Sequence, residues 1–386
     1  MNDTASPPTR PSFLVRHRTE ALLALVAVAS SLLVYAPYLN DISVVYRVWD
    51  GPNYLTIAKA GYEGIRDDNP ILAYVHTKDY FLRHFPLYPF LVRVFSPVGW
   101  QRSMLLVSVL SSALAAVLFF RLARDVWKLP SPAWLTVVFL LFPPRFLLFR
   151  STGSTEAVFI LLALASVSAF ERGRVGWASV WAALASVTRI SGLMILPAFG
   201  LVLLVRRRFR QIPWLLVVPL PLAAYFGYCW LRTGNVLDYL SQHADKLSPP
   251  QPFGFFPVLF KAGWYHVVEF YVLLFLVYAV GTARLYRRFE VLFSYCFFQL
   301  LLHLFVSTED WSRYWLAMAP FALVVGFHEL LVEKGFRIVF PVYVLAAYVY
   351  VWGTMPLNGA PQEMYARTLL SLGLWAEFVP PGTFGF

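Results

Sequence analysis

Apolar residues run along this chain in long, nearly uninterrupted blocks, without the two-residue alternation of half-buried strands. The blocks occupy 21–38, 103–120, 131–148, 155–170, 177–188, 192–205, 213–231, 267–283, 291–306, 315–330 and 338–353. A helix needs roughly 20 apolar residues to cross a bilayer. The pattern therefore predicts an all-α polytopic membrane protein with about eleven transmembrane helices, organised as a single membrane domain over residues 1–386. The first block follows Arg16, His17 and Arg18, and its length fits an uncleaved spanning helix better than a signal core of about 7–15 residues. Two polar stretches interrupt the series, a first loop at 39–101 and a second at 232–265. Both are dense in aromatic residues, as in segments that lie along the headgroup region. They are expected to rest on the membrane and roof a cavity.

Composition sharpens this picture. Hydrophobic residues make up 59% of the chain and charged residues 14%, with mean hydropathy +0.61, far from the charged fraction of about 25% usual in soluble domains. The net charge of +11 distributes as topology predicts. With the N-terminus inside, the segments 1–20, 121–130, 171–176, 206–211, 284–290 and 331–337 hold 17 Lys and Arg, with seven acids in or beside them. That is +10 on one side, which leaves +1 for the other. The basicity is thus a positive-inside signal, not a nucleic-acid footprint, and no nucleic-acid partner is expected. It puts the N-terminus in the cytoplasm and both large loops outside, in a bacterial plasma membrane by preference. Cys229 and Cys296 lie inside apolar blocks and read as packing residues. The seven histidines show no metal-ligand spacing, so no metal site and no cofactor are expected. Neither a phosphate-binding Gly-rich loop nor a dinucleotide fingerprint opens a helix.

The polar chemistry concentrates at the outer ends of the helices. Asp50-Gly51-Pro52 reads as a helix start with Asp50 as N-cap, Asn53 to Ala60 as the helix and Gly61 as its stop. The helix field would keep the carboxylate ionised. Pro86 to Phe95 reads as a second short amphipathic helix that returns to the membrane. Arg145 and Arg150 read as helix-end anchors that snorkel to the interface. Arg189, with no charge near it in sequence, is open to phosphate binding or anchoring, and phosphate suits the planar guanidinium fork. Arg313 follows Glu309 and Asp310, a possible local ion pair.

These residues fall in segments that together resemble a family. Val48-Trp49-Asp50-Gly51-Pro52-Asn53-Tyr54-Leu55-Thr56-Ile57-Ala58-Lys59-Ala60-Gly61-Tyr62-Glu63, followed by His84-Phe85-Pro86-Leu87-Tyr88-Pro89, resembles the first luminal loop of the PIG-V-like mannosyltransferases. Those enzymes add the second mannose of GPI anchors and have bacterial relatives. Ser154 to Phe159 and Thr188 to Gly192 are similar to two further segments of the family, and Arg313-Tyr314-Trp315-Leu316 matches loosely. The resemblance implies a GT-C glycosyltransferase fold, with interfacial helices in the first loop. It also implies a polyprenyl- or dolichyl-phosphate sugar as donor and Asp50 as the catalytic carboxylate. Arg189, Arg313, Glu156, Glu63, His84, Trp49 and Lys59 are the candidate contacts to donor phosphate or substrate. The acceptor would be a glycolipid or glycan, with membrane lipids around the protein.

A site facing outward cannot draw on cytoplasmic nucleotide sugars, so a lipid carrier is the expected source. Two rivals stand beside this reading: a lipid or sugar transporter or flippase, which favours ionisable groups at mid-membrane and repeated broken helices, and a non-catalytic scaffold in which Asp50 is only a cap. The orientation is testable. In a background without Cys229 and Cys296, Arg208→Cys and Asp245→Cys should label from opposite faces of intact cells, an impermeant reagent reaching only the second. Labelling of both from outside would reject the topology.

Overall fold

The computed structural model describes residues 13–75, 77–236, 252–308 and 310–377. The part of the second loop that includes Asp245, and also Glu309, therefore lie outside the described residues. Every apolar block falls on helix. The elements used below are α1 (Phe13–Tyr35), α2 (Gly51–Ala60), α3 (Leu87–Val94), α4 (Trp100–Arg121), α5 (Pro132–Leu141), α6 (Pro144–Phe149), α7 (Glu156–Glu171), α8 (Val175–Ser186), α9 (Ile195–Val205), α10 (Leu220–Thr233), α11 (Tyr265–Leu285), α12 (Glu290–Leu304), α13 (Lys334–Thr354) and α14 (Gln362–Ser371). Among the described residues there is no strand, only one isolated bridge between Val48 and Gly359. Five helical stretches are long and apolar enough to cross a membrane: His17–Tyr38, Trp100–Val126, Phe209–Thr233, Tyr265–Leu285 and Lys334–Thr354. The other apolar helices are shorter. The block at 131–148 is split into α5 and α6 at Pro143-Pro144, where the chain lacks two backbone donors and Phe142 turns extended. The block at 315–330 is likewise broken into short turns around Pro320.

The helices pack with an inside-out pattern that suits lipid. On α4 the buried face is small or hydroxylated, with Ser103, Ser108, Ser112, Ala115 and Ala116 buried against its neighbours, while Leu106, Leu110 and Leu114 face outward. Small residues let helix backbones approach closely where lipid, not water, is the outer solvent. On α13 the outward face is Ile338, Val339, Val342, Leu345 and Val349. In water this surface would be an aggregation liability; in a bilayer it is the contact with acyl chains.

Two polar contacts fix the bundle's ends. Glu20, in the third turn of α1, accepts from both Nε and Nη2 of Arg121 at 3.0 and 2.7 Å, which joins it to the end of α4. The first loop joins the opposite ends of these two helices. Arg150 departs from the expected snorkelling anchor. It is fully buried and donates to Leu140 O, Ala27 O, Ser31 Oγ and Ser30 Oγ at 3.0, 3.0, 2.9 and 2.6 Å. A guanidinium can be buried there because neutral acceptors from α1 and α5 surround it. Arg145 departs too: it pairs with Asp310 at 2.5 Å.

The C-terminal segment holds the first loop in place. Trp49 N donates to Asn358 O at 2.8 Å and Ala360 N to Arg47 O at 2.8 Å. Gly99 offers no side chain to cap α4, and Glu377 does so instead, accepting from Trp100 N and Gln101 N at 3.0 and 3.1 Å. A carboxylate there satisfies two orphan donors and faces the positive end of the helix. Glu377→Ala is expected to destabilise the protein by about 1–2 kcal/mol and Glu377→Gln by less than half of that, read as the shift in thermal unfolding; equal losses would assign the effect to packing.

Candidate active site

Asp50 reaches its position through two close backbone approaches. Gly51 lies under Tyr46 O, where a Cβ would fall at 2.7 Å, and against Gly153, whose own Cβ would stand 3.3 Å from Gly51 Cα. The Trp49-Asp50-Gly51 turn therefore seats directly on the 151–155 segment, and Asp50 meets the start of α7. Trp49 takes a left-handed φ of 47°, unusual for a bulky residue. Its ring packs edge-on to Phe149 at 5.1 Å, with the Arg145 guanidinium 5.5 Å from its centre. Asp50 stands at the N-cap position of α2 but makes no side-chain cap. Its carboxylate points instead to Arg313 Nη1 at 3.0 Å and His84 Nε2 at 3.6 Å. Burial pushes the Asp50 carboxyl up, but Arg313 and His84 outweigh it and hold the group well below the usual carboxylate range. The cation, more than the helix field expected from sequence, keeps Asp50 ionised.

Glu156, the first residue of α7, has a side chain only 1% exposed. A single oxygen, Oε1, accepts from Arg313 Nε at 2.6 Å and from Arg189 Nη1 at 2.8 Å. Arg189 also donates to Thr155 Oγ1 at 3.1 Å. It projects from an extended break after α8, which Gly192 makes possible: a Cβ there would lie 2.5 Å from the Ala185 carbonyl carbon. Arg313 sits on a one-turn helix between Trp311 and Trp315, both fully buried with ring centres 4.1 Å apart. Its guanidinium stands 4.4 Å from the Phe149 ring centre. Arg313 thus bridges Asp50 and Glu156, with Asp310 acting on it at longer range. Two carboxylates and two guanidiniums form a chain of net zero charge.

This chain borders a cavity of about 350 Å³ that Asp50, His84, Arg189 and Arg313 share with apolar residues such as Leu193, Leu302 and Val306. Of the residues singled out in the sequence, these four and Glu156 come together. Trp49 stands behind Asp50. Glu63 and Lys59 do not join them: Glu63 is exposed and accepts from Tyr228 Oη at 2.6 Å, and Lys59 lies 4.7 Å over the Trp100 ring. Three further residues lie on or beside the cavity; Arg83 and His303 carry no sequence signal, and in the sequence Asp310 reads only as a local partner of Arg313. Arg83 and His303 line it; His303 is fixed through Nδ1 to Gln299 O at 2.7 Å. Asp310, beside the chain, has its carboxyl pushed up by burial despite Arg145. Among the described residues no group of three or more His, Cys, Asp and Glu is arranged to hold a metal ion.

The class of protein follows from the family comparison together with the helices: a membrane glycosyltransferase. Residues 10–212, more than half of the chain, match the family model Mannosyltransferase (PIG-V), and the chain belongs to this family. A comparison with curated protein sequences gives no match. The matched region contains Asp50, His84, Glu156 and Arg189, while Arg313 comes from beyond it.

Glu156 is the keystone in electrostatic terms. Glu156→Gln leaves two nearby guanidiniums with one carboxylate between them and is expected to cost on the order of 3–5 kcal/mol, as when one partner of a buried ion pair is removed. An unfolding curve that overlays the wild type would show that Arg189 and Arg313 hold their places without it.

Proposed function

We propose that this chain is an inverting glycosyltransferase that moves a sugar, mannose by family, from a polyprenyl-phosphate carrier to a glycolipid or glycan acceptor on the extracytoplasmic side of the membrane. The observation that carries the reading is the position of Arg313, which touches Asp50 and Glu156 at once on the wall of a cavity lined by both charged and apolar side chains. Such a cavity suits a ligand with an anionic sugar-phosphate head and a hydrocarbon tail. The charge distribution supports the sidedness, since the basic segments cluster opposite the Asp50 loop.

In this mechanism the acceptor hydroxyl oxygen attacks the anomeric carbon from the face opposite the phosphate, and the carbon–oxygen bond to phosphate breaks with its electron pair on the phosphate oxygen. Asp50 takes the hydroxyl proton and later releases it to solvent. Arg189 and Arg313 stabilise the negative charge that grows on the leaving phosphate. The resting site presents an apparent contradiction, because a carboxylate paired with Arg313 is a weak base. The donor resolves it. A phosphate that draws Arg313 toward itself removes the strongest influence lowering the Asp50 proton affinity, so Asp50 becomes basic only when the leaving group is in place.

Asp50→Asn preserves size and shape, and Asp50 makes no cap that the change could break. It removes one of the two acids paired with Arg313 and should cost some stability, but Glu156 still holds Arg313. The variant should therefore fold and lower turnover by about 100-fold or more with a synthetic polyprenyl-phosphate mannose, and the wild type should ignore nucleotide sugars. Near-normal turnover by a folded Asn variant would exclude Asp50 as base and turn attention to Asp310. Use of a nucleotide sugar would overturn the donor assignment.

A further inference from the structure

A second groove, of about 430 Å³, lies at the other end of the bundle, between the end of α4 and the turn that joins α7 to α8. Helix α7 separates it from the Asp50 cavity: Glu156 begins that helix and Arg172 follows its last residue, a distance of roughly 24 Å at 1.5 Å per residue. Its two kinds of lining are segregated. Arg121, Arg172 and Arg174 contribute guanidiniums at the bundle end, and the walls are Leu118 with Trp177 and Trp181. The tryptophans, four residues apart on α8, share one face of that helix. Trp177 is 62% exposed, costly in water for so large a ring.

The cations are unequally engaged. Arg121 is bound to Glu20. Arg172 donates through Nη1 to Ser168 O at 3.1 Å and to Ser168 Oγ, which leaves its other nitrogens, and neither it nor Arg174 has a carboxylate within ion-pair distance among the described residues. The floor is cut by the small residues Ala165, Ser168 and Ala169 of α7, which leave room along the helix for a chain. Two guanidiniums without an ion-pair partner, Arg172 feeling Asp125 only at longer range, above an apolar trough flanked by tryptophan match an amphiphile with a phosphate at its head. A free anion would leave the trough and the tryptophans uncovered. We infer that this groove binds an anionic phospholipid, its phosphate on Arg172 and Arg174 and its proximal acyl chain along Leu118, Trp177 and Trp181. The site is separate from the sugar-transfer cavity and does not depend on the reaction proposed for it. The charge tally also assigns segments 121–130 and 171–176 to the basic side of the membrane, the side that attracts anionic lipid.

A ligand that binds only the folded state raises its melting temperature. The test uses the full chain in neutral detergent, with phosphatidylglycerol, phosphatidylcholine or inorganic phosphate added. Phosphatidylglycerol at about ten-fold excess over its Kd should raise Tm by roughly 2–4 °C, and the other two should not. The shift should vanish in R172Q/R174Q, whose baseline Tm and sugar transfer stay at wild-type levels, and should survive in R208Q/R210Q, which removes two exposed charges elsewhere on the same predicted side. If R172Q/R174Q folds poorly, Trp177→Ala, an exposed position, should weaken the shift instead. An equal shift with phosphatidylcholine, an equal shift with inorganic phosphate, or a shift unchanged in both the arginine pair and the tryptophan variant would overturn the assignment.

Discussion

The bifurcated contact at Glu156 Oε1, which accepts from Arg189 and Arg313 together, is the constraint on which the rest of the site depends. Each guanidinium comes from a place where the helical pattern is broken, Arg189 from the extended residue after α8 and Arg313 from a single turn between broken segments. Each break keeps only a turn's worth of backbone hydrogen bonds, such as Arg189 N to Ala185 O at 3.0 Å and Arg313 N to Asp310 O at 3.0 Å. The carboxylate ties the two side chains together, and it is expensive to bury unless both cations are present. One residue of α7 thus locks three elements into one arrangement, and Arg313, once placed, locates Asp50 on a fourth.

The position of the charges also reconciles two demands that conflict. A membrane protein cannot bury a net charge cheaply, yet a phosphate ligand calls for cations. The chain from Asp50 through Arg313 and Glu156 to Arg189 is neutral as a whole, and so tolerable when empty, while its guanidiniums retain donors that an entering phosphate can take. Arg150 meets the same demand without any acid, by filling its donors with serine hydroxyls and helix carbonyls. It shows that this fold can hold a guanidinium for architecture alone, so burial by itself does not mark an arginine as functional. What distinguishes Arg189 and Arg313 is that they border a cavity and share an acid.

The all-α character of the fold was legible in the sequence because lipid imposes apolar blocks, although only five described stretches reach spanning length, and because short loop helices announce themselves with proline and glycine. Asp50 and Arg189 stood out for local reasons, a helix start and a lone cation, while the close backbone approaches of Gly51 and Gly192 appear only in the structure. The pairing of Arg313 with Asp50 was not legible, since the two are far apart in the chain and Arg313 has nearer acids at Glu309 and Asp310. Arg145 and Arg150 were misread for a related reason. A sequence shows that an arginine lies at a helix end, but whether it faces headgroups or a partner depends on which other helix ends arrive there. Glu63 and Lys59 illustrate the converse, for they sit inside the best-matching segment and still point away from the cavity.

The C-terminal segment carries this reasoning one step further. It has no long apolar block after α13 and none of the motifs that mark the site, so sequence alone offers no account of it. In the structure it holds both ends of the first loop: Asn358 and Ala360 bind the backbone around Trp49, and Glu377 caps the helix into which the loop returns. A loop of this length that must hold a carboxylate within 3.0 Å of Arg313 would otherwise lose that precision to its own conformational entropy. Misplacement of a reacting group by about 1 Å can cost on the order of 100-fold in rate. The last described residues of the chain are therefore part of the support for Asp50, and the region matched to the family, which ends at residue 212, contains the carboxylate but neither this clamp nor Arg313.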